Sequence, residues 1–342
     1  MNVQTVTSLP ETMIAIDPEQ AGGPEVLKPV SRSVPKPGSG DYLIRIAAAG
    51  INRPDVIQRL GLYPPPVGAP SILGLELSGT IVAAGQGADP ARVGQAVCAL
   101  VAGRLCRILL RSRESMSACA SRAVHDRSSG LAGDAVYRLE QSVRWCARGR
   151  GRYGAGAWRH VRHRDHDNCA WPSVRLDRHR HLRLGPEMRA CAGDRGCACD
   201  QLPDARFRRG SAAHHGGAGV AAVLDMVAGS YVSRNLQCLA EDGRHITIAA
   251  QAGRQSEIDM VPVMVRRLVL TGSTLRSRPP AFKARMAEAL LHTVWPDVVA
   301  GRLKPIIDAT FPIAEAAQAH ARMDAGEHVG KIVLRLDPRV ID

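Results

Sequence analysis

The sequence predicts an α/β protein that combines an antiparallel β-barrel domain with a doubly wound parallel sheet. Two observations carry this prediction. In residues 1–103, short apolar runs are separated by closely spaced glycines and prolines, which is typical of strands in an irregular barrel. In the last third, strand-like runs alternate with helical spacing, which is typical of a parallel sheet covered by helices. The 342 residues are enough for two domains, each with its own core.

Three apolar segments of the first part are predicted to be strands. Tyr42–Gly50 reads YLIRIAAAG and alternates before it ends at a glycine. Leu77–Ala83 and Ala96–Ala102 are further short apolar runs. Between them, the prolines at 64–66 and the Gly-Ala-Pro at 68–70 predict turns.

In the last third of the chain, strand-like apolar runs alternate with segments of helical spacing. Ala221–Asp225 reads AAVLD, an apolar run suited to a buried parallel strand, and helical spacing follows over Val232–Leu239. Strands are next predicted at 245–249 and 268–272. The remaining segments are an amphipathic stretch at 280–295, runs at 306–311 and 315–324, and HVGKIVLRL at 328–336.

The whole-chain composition is that of a soluble globular protein, with 45% apolar and 23% charged residues. No run approaches the ~18–20 apolar residues that a membrane-spanning helix needs. The N-terminus lacks the basic region and apolar stretch of a secretory signal. We therefore expect a cytoplasmic protein.

The net charge of +13 is concentrated in one segment. Residues 1–103 have a net charge of −1 and residues 216–342 a net charge of +2, whereas residues 104–215 carry +12. All 23 basic residues of that segment are arginine, and it holds 7 of the 9 cysteines and 8 of the 12 histidines. A basic surface that binds phosphate usually mixes lysine with arginine. We interpret the segment as GC-rich coding DNA read out of frame.

Residues 47–85, AAAGINRPDVIQRLGLYPPPVGAPSILGLELSGTIVAAG, resemble the N-terminal domain of the medium-chain dehydrogenase/reductase superfamily. Within it, the match is to the zinc-independent quinone oxidoreductase branch, which includes zeta-crystallin and the p53-inducible quinone reductase. VLDMVAGSY, LAEDGRHITIAAQAG and LTGSTLRSRP resemble the second half of that family's nucleotide-binding domain. The resemblance implies a GroES-like β-barrel catalytic domain at 1–145 and 285–342, and a Rossmann domain at 146–284 whose first half is disrupted.

The resemblance also implies chemistry without a metal. Zinc alcohol dehydrogenases have a cysteine ligand where this chain has Asn52, and a histidine ligand where it has Leu75 before Glu76. Neither replacement is a plausible zinc ligand. Direct hydride transfer from a reduced nicotinamide to an electrophilic acceptor remains.

Two residues of this domain are predicted to be catalytic. Tyr63 matches the family's active-site tyrosine, whose phenol can stabilise negative charge on a quinone carbonyl; the alternative is a tyrosine that stacks in a proline-rich turn. Asn52 is expected to orient substrate or nicotinamide, or else to cap a turn. Asp55 and Arg59, four residues apart, are interpreted as a solvated helix pair.

The family places the nicotinamide end of its cofactor along two loops that follow strand C-termini. These loops correspond to 250–253 and 273–276, so the predicted cofactor-binding residues are Ala250, Gly253, Ser273, Leu275 and Arg276. Ordinary βα turns are the alternative. A contact with a cofactor phosphate is one interpretation of Lys331, but we expect it to be a lysine at a strand edge.

A glycine-rich turn that binds pyrophosphate is missing from residues 104–215. Gly151, Gly154 and Gly156 have no apolar strand before them and no helix after them. Permitted codons for the segment from Tyr153 regroup, one base later, into TVLVHGGTSGIGT, which is a strand, a glycine turn and a helix start. The codons of Arg104–Trp145, regrouped in the same way, can also encode a run that resembles the family. The printed reading frame resembles the family again from about 214–217. We therefore expect the segment to lack a stable fold.

The regrouped reading also bears on the cofactor. When the codons of Arg183–Met188 are regrouped by one base, they can encode Gly-Ser-Asp, then one residue that the regrouping does not determine, then Lys-Cys. A serine and a lysine after the second strand favour the extra phosphate of NADPH over the ribose hydroxyls of NADH.

Two other interpretations of the segment are weaker. His160, His163 and His166 stand three apart, and Cys191, Cys197 and Cys199 lie close in sequence, but neither set has a familiar zinc spacing. The arginines lack the interleaved aromatic residues of a nucleic-acid surface. We predict no metal, no nucleic-acid and no membrane partner.

The predicted function is therefore NADPH-dependent reduction of a small-molecule quinone, in a family whose members are homodimers. Enoyl-thioester reduction in the same superfamily is the alternative activity. A non-catalytic remnant or an arginine-rich nucleic-acid binder is the alternative of another class, and the chain as it stands is expected to bind NADPH poorly.

Overall fold

The computed structural model describes most of the two ends of the chain and, between them, the backbone of short strands. The described residues are 9–65, 71–100, 108–112, 116–118, 158–161, 178–182, 197–201, 219–276, 278–293, 295–300, 307–328 and 330–336.

Helices and strands follow one another along the chain in a fixed order. They are β1 Thr12–Ile16, β2 Pro29–Ser33, β3 Asp41–Ile51, α1 Arg53–Arg59, β4 Glu76–Ala84, β5 Ala96–Leu100, β6 Ile108–Ser112, β7 Met116–Ala118, β8 Trp158–Val161, β9 Arg178–Leu182, β10 Cys197–Gln201, β11 Val220–Asp225, α2 Tyr231–Cys238, β12 Leu239–Thr247, α3 Met260–Val265, β13 Val269–Gly272, α4 Pro280–Thr293, α5 Trp295–Val299, β14 Ile307–Pro312, α6 Ala316–Ala325 and β15 Lys331–Arg335.

The chain divides into two units, of which the first contains residues 1–136, 279–293 and 305–342. Its main sheet has the order β14-β15-β3-β4-β5-β7, and β6 also pairs with β3. The pairs are antiparallel except β14 with β15. The sequence predicted the three strands β3, β4 and β5, and the structure confirms them. Each of the three strands is buried over most of its length, and all three contribute side chains to one apolar core.

The second unit contains residues 137–278 and 294–304. Its parallel sheet has the order β10-β9-β8-β11-β12-β13, which is the 3-2-1-4-5-6 order of dinucleotide-binding sheets. The predicted doubly wound architecture is confirmed. Strand β12 begins at Leu239 rather than at the predicted His245, because the chain passes directly from α2 into the sheet and Val220 already pairs with Leu239.

Three strands of the arginine-rich segment, β8, β9 and β10, occupy the first half of this sheet. The regrouped reading places a glycine turn where the chain as it stands has the strand Trp158–Val161. The glycines at 151, 154 and 156, His163, His166 and Cys191 lie outside the described residues. The expectation that 104–215 lacks a stable fold concerns mostly residues outside that part and stays a prediction.

The interpretation of Asp55 and Arg59 as a solvated pair is wrong. Asp55 is 1% exposed and Arg59 is 2% exposed. The Arg59 guanidinium donates to Asp324 Oδ2 at 2.7 Å and to the Gly22 carbonyl at 3.1 Å. The spacing of Asp55 and Arg59 hid this arrangement, because the true partner of Arg59 comes from α6, which is distant in sequence.

Next to this ion pair, His320 is completely buried on α6. Its Nδ1 lies 3.4 Å from Arg59 Nη1. Burial, and then the positive charge of Arg59, lower the pKa of His320 from 6.5 to about 3, against the opposing effect of Asp324. The imidazole is therefore neutral in the folded chain over a range in which it is charged in the unfolded chain.

We predict that His320→Gln removes part of the acid sensitivity of folding. Between pH 6.5 and about 3, the His320 imidazole binds a proton in the unfolded wild-type chain but not in the folded chain. The stability of the wild-type protein therefore falls with decreasing pH by up to about 1.4 kcal/mol per unit from this group. Urea denaturation across that range should show a shallower decline for the variant. The exposed His292→Gln is the control, and equal slopes for wild type and His320→Gln would contradict the prediction.

Candidate active site

Asn52 lies at the junction between β3 and α1. Its backbone is extended, with φ −128° and ψ 156°, and Pro54 stands in the first turn of the helix. The Asn52 N–H donates to Asp55 Oδ2 at 2.8 Å, and the Asp55 N–H donates to the Asn52 carbonyl at 2.9 Å. The helix is thus capped through the backbone of Asn52, which leaves the side chain available for other contacts.

That side chain contacts a buried ion pair. Lys331 Nζ lies 2.7 Å from Glu76 Oε1 and donates to Asn52 Oδ1 at 2.7 Å. Asn52 Nδ2 donates to Glu76 Oε1 at 3.0 Å. Lys331 lies on β15, Glu76 lies on β4, and Asn52 directly follows β3. Because these three strands are neighbours in the sheet, the three side chains come together.

Lys331 is not the strand-edge lysine that the sequence predicted. Strand β15 lies between β14 and β3, and Lys331 is 4% exposed. The prediction was wrong because the segment HVGKIVLRL indicates a strand but does not indicate which strands lie on either side of it.

Gly50 makes room for the Glu76 carboxylate. A Cβ built on Gly50 would lie 2.2 Å from Glu76 Oε1 and 2.9 Å from its Cδ. These distances are shorter than any ordinary van der Waals contact. The glycine that ends the predicted strand Tyr42–Gly50 is therefore required by a side chain on the neighbouring strand.

The residues at this place do not fit a zinc ion. The Lys331 ammonium already lies within hydrogen-bonding distance of Asn52 and Glu76, and a second cation there would face an unscreened like charge. An amide, one carboxylate and an ammonium are also not the sulfur and imidazole set that zinc prefers. Across the described ranges, no three His, Cys, Asp or Glu side chains are grouped so that they could hold a metal ion.

Tyr63 lies two residues beyond Gly61 in the turn that follows α1, and it is half-buried. Its neighbours Pro64 and Pro65 are described, whereas residues 66–70 of the proline-rich loop are not. Its role as a hydrogen-bond donor to substrate stays a prediction.

In the second unit, the predicted cofactor-binding residues all lie at one edge of the sheet. Strands β11, β12 and β13 are parallel neighbours, so their carboxyl ends meet at this edge. Ala250 and Gly253 are exposed in the loop after β12, where the Gly253 N–H donates to the Ala250 carbonyl at 3.3 Å.

The loop after β13 is more buried than the one after β12. The Ser273 N–H donates to the Thr247 carbonyl at 3.1 Å, and Ser273 Oγ accepts from Arg278 at 3.3 Å. The Leu275 side chain is buried, whereas Arg276 is half-buried.

Sequence reasoning missed a polar cluster beneath these loops. Asp225 Oδ1 accepts from the N–H groups of Val227 and Ala228 at 2.7 and 3.0 Å. Its Oδ2 accepts from Asn235 at 3.0 Å and lies 3.0 Å from His245 Nε2. The carboxylate thereby fixes the loop that begins helix α2. The one signal in the sequence is an aspartate that ends an apolar run, with a glycine four residues later.

The two loops above that cluster are in close backbone contact. Gly229 has a positive φ of 55°, and a Cβ there would lie 2.6 Å from the Ala252 carbonyl oxygen. The Ala252 N–H donates to the Val227 carbonyl at 2.8 Å. Only glycine meets both conditions without strain.

Among the residues that the structure describes, every helix is too short or too polar to span a bilayer.

We predict that Gly50→Ala destabilises the first unit by about 1–3 kcal/mol, the usual cost of overpacking. The new methyl group must displace the Glu76 carboxylate and so weaken its bond to Lys331. Chemical denaturation measures the loss. In a Glu76→Ala background the same substitution should cost much less, because the clashing carboxylate is gone. An equal cost in both backgrounds would show that Glu76 is not the reason for the glycine.

Two family profiles match this chain, one in each half. The family profile described as "Alcohol dehydrogenase GroES-like domain" matches residues 38–169, and the one described as "Zinc-binding dehydrogenase" matches residues 199–334. Both matches extend into the arginine-rich segment, one at each end.

Two curated relatives and one solved structure illustrate the likeness. A quinone oxidoreductase of Lama guanicoe is 25% identical, over 95% of this chain and 98% of the relative. A lovastatin diketide synthase of Aspergillus terreus is 30% identical over 40% of this chain, and the match spans only 6% of that synthase. A mycobacterial protein solved in complex with NADPH has a TM-score of 0.80 at 20% identity, over 94% of this chain and 99% of that one. That last likeness shows the fold, and the profiles of the two halves together show that the chain is an oxidoreductase of the medium-chain dehydrogenase/reductase superfamily.

Proposed function

We propose that this chain derives from a zinc-independent, NADPH-dependent quinone reductase. The observation that carries the proposal is the Lys331 ammonium, which lies 2.7 Å from Asn52 Oδ1 and from Glu76 Oε1 and whose positive charge disfavours a metal cation there. The match to the Lama guanicoe quinone oxidoreductase over nearly the whole of both chains supports it.

In this proposal the acceptor is a small-molecule quinone. NADPH, when bound, supplies the hydride. The quinone takes up that hydride together with one proton, and the product is the hydroquinone. NADPH thus loses two electrons and the quinone gains two. Tyr63 would donate a hydrogen bond to the acceptor oxygen and stabilise its developing negative charge. Asn52 would help to orient the reactants.

The residues that would hold the nicotinamide end are Ala250, Gly253, Ser273, Leu275 and Arg276. They fit that role because they lie on two neighbouring loops at the carboxyl edge of a sheet with dinucleotide-binding strand order. The preference for NADPH over NADH rests on the serine and lysine of the regrouped reading, and the neighbour solved with NADPH is consistent with it.

The frame change remains part of the proposal. A pyrophosphate needs closely spaced backbone N–H groups at a glycine turn, and residues 104–215 contain such a turn only when their codons are regrouped by one base. As a member of its family, the protein is expected to be a cytoplasmic homodimer.

A second activity has support of its own. The match to a diketide synthase favours reduction of an enoyl thioester, which also needs hydride transfer without zinc. A non-catalytic remnant that binds nucleic acid through its arginines is the alternative of another class, and salt-dependent binding to random DNA would favour it.

We predict that the chain as it stands binds NADPH with a dissociation constant above the micromolar range, whereas a variant with codons 104–215 regrouped binds it in the range usual for such enzymes. Fluorescence titration of NADPH against both proteins measures this. Micromolar binding by the chain as it stands would overturn the frame interpretation. Resequencing the coding DNA across codons 100–220 is the matching genetic test, and codons that regroup into stop signals would overturn it too.

In the regrouped protein, we predict that Tyr63→Phe lowers kcat for 1,4-benzoquinone by about 10²-fold, the usual loss for one donor to a developing oxyanion. Tyr42→Phe is the control, because the Tyr42 hydroxyl accepts from the Asp89 N–H and serves structure. Parallel assays with a crotonyl thioester separate the two activities. A higher kcat/KM for the thioester would replace the quinone assignment, and an unchanged kcat would exclude Tyr63.

A further inference from the structure

The side-chain amide of Asn52 contacts two groups of opposite hydrogen-bonding character. Lys331 Nζ lies 2.7 Å from Oδ1, and Glu76 Oε1 lies 3.0 Å from Nδ2. An ammonium can only donate, and a carboxylate paired with it can only accept. Turning the amide by 180° would place oxygen against oxygen and NH₂ against ammonium. The orientation of the Asn52 amide is therefore fixed by the chemistry of its neighbours.

The hydrogen-bonding capacity of that amide is almost fully used. Nδ2 has two hydrogens, of which one goes to Glu76 at 3.0 Å and the other is directed at the Gly50 carbonyl at 3.4 Å. Oδ1 can accept two hydrogen bonds, and Lys331 supplies one of them. Among the described residues, the amide thus keeps one acceptor position and no donor. Asn52 is only half-buried, so a ligand can reach it.

The two neighbours are themselves held firmly. Glu76 is completely buried and Lys331 nearly so. Breaking a bond within such a group leaves a charge without its partner in a medium of low dielectric constant. The amide is consequently not free to turn when a ligand arrives.

We propose that Asn52 is a fixed hydrogen-bond acceptor that selects a donor group on the ligand, and that Lys331 and Glu76 are the residues that position it. A quinone carbonyl, which only accepts, gains no bond from Asn52, so stabilising that oxygen falls to Tyr63. The identity of the ligand rests on the proposed function. There, two groups carry the required donor: the carboxamide N–H of the nicotinamide and the O–H of a hydroquinone.

The orientation itself can be tested without cofactor or activity. The chain contains four asparagines, at positions 2, 52, 168 and 235, so selective ¹⁵N-asparagine labelling gives four side-chain NH₂ signals. We expect the Asn52 signals, assigned by Asn52→Asp, to exchange with water at least about tenfold more slowly than free asparagine. Exchange as fast as in free asparagine would overturn the proposal.

Variants separate positioning from general stability. Lys331→Arg keeps a donor-only partner and should keep the slow exchange. Glu76→Gln together with Lys331→Met removes both charges at once, so no unpaired charge stays buried, and should accelerate it. Arg59→Met breaks a different ion pair of the same unit and should leave the Asn52 signals in place. Acceleration by Arg59→Met, or none by the double variant, would count against Lys331 and Glu76.

Small probes then test the selectivity and distinguish its two sources. Nicotinamide and 1,4-hydroquinone carry donors, whereas 3-acetylpyridine and 1,4-dimethoxybenzene are matched compounds without them. We expect at least one donor compound to shift the Asn52 signals and its matched partner not to; which pair responds identifies the source. Equal shifts within both pairs, or none with any probe, would overturn the selectivity. A fixed, donor-selective Asn52 in a protein without quinone reductase activity would contradict the proposed function alone.

Discussion

The buried ion pair between Glu76 and Lys331 is the interaction on which the candidate active site depends. It joins a strand near the start of the chain to the last described strand, and Lys331 is 279 residues from Asn52. The carboxylate, the ammonium and the amide satisfy one another within a space that only a glycine at position 50 leaves open. Pairing of β15 with β3 thus also completes the site, because β15 brings the cation next to the strands of Glu76 and Asn52.

In the proposed zinc-independent chemistry, the same pair takes the place that a metal ion would have. Removing metal ligands from a buried site would leave the Glu76 carboxylate without a counter-charge. In this protein a side chain of the chain itself provides the positive charge. It also orients its neighbour Asn52, which a diffusible ion would do only while bound. The hydrogen bonds that orient the amide are therefore made by side chains of the chain itself.

Local pattern in the sequence predicted the strands β3, β4, β5, β11 and β13, the helix α2 and the amphipathic stretch that forms α4. These elements repeat with periods of two or 3.6 residues, so each of them is visible in its own segment. The buried partners were not visible in this way. Arg59 with Asp324, and Lys331 with Glu76, are pairs between distant segments, and an isolated lysine or arginine in a sequence usually indicates solvent exposure.

The candidate site was predictable to the extent that its residues depart from a known pattern. Asn52 was predicted because an amide stands where zinc alcohol dehydrogenases have a ligand, whereas Glu76 served only to locate Leu75 and was not predicted to be part of the site. Asp225 and His245 were not predicted either, because neither departs from the spacing of an ordinary strand, although the carboxylate organises the loop that the cofactor would meet.

A double-mutant cycle on Glu76 and Lys331 tests the central claim most directly. Each single change to methionine leaves one buried charge unpaired and should lower the free energy of unfolding by about 3–5 kcal/mol, whereas the double change, which removes both charges, should cost far less than the sum. Losses that add, with no coupling between the two positions, would show that the pair does not hold the site together.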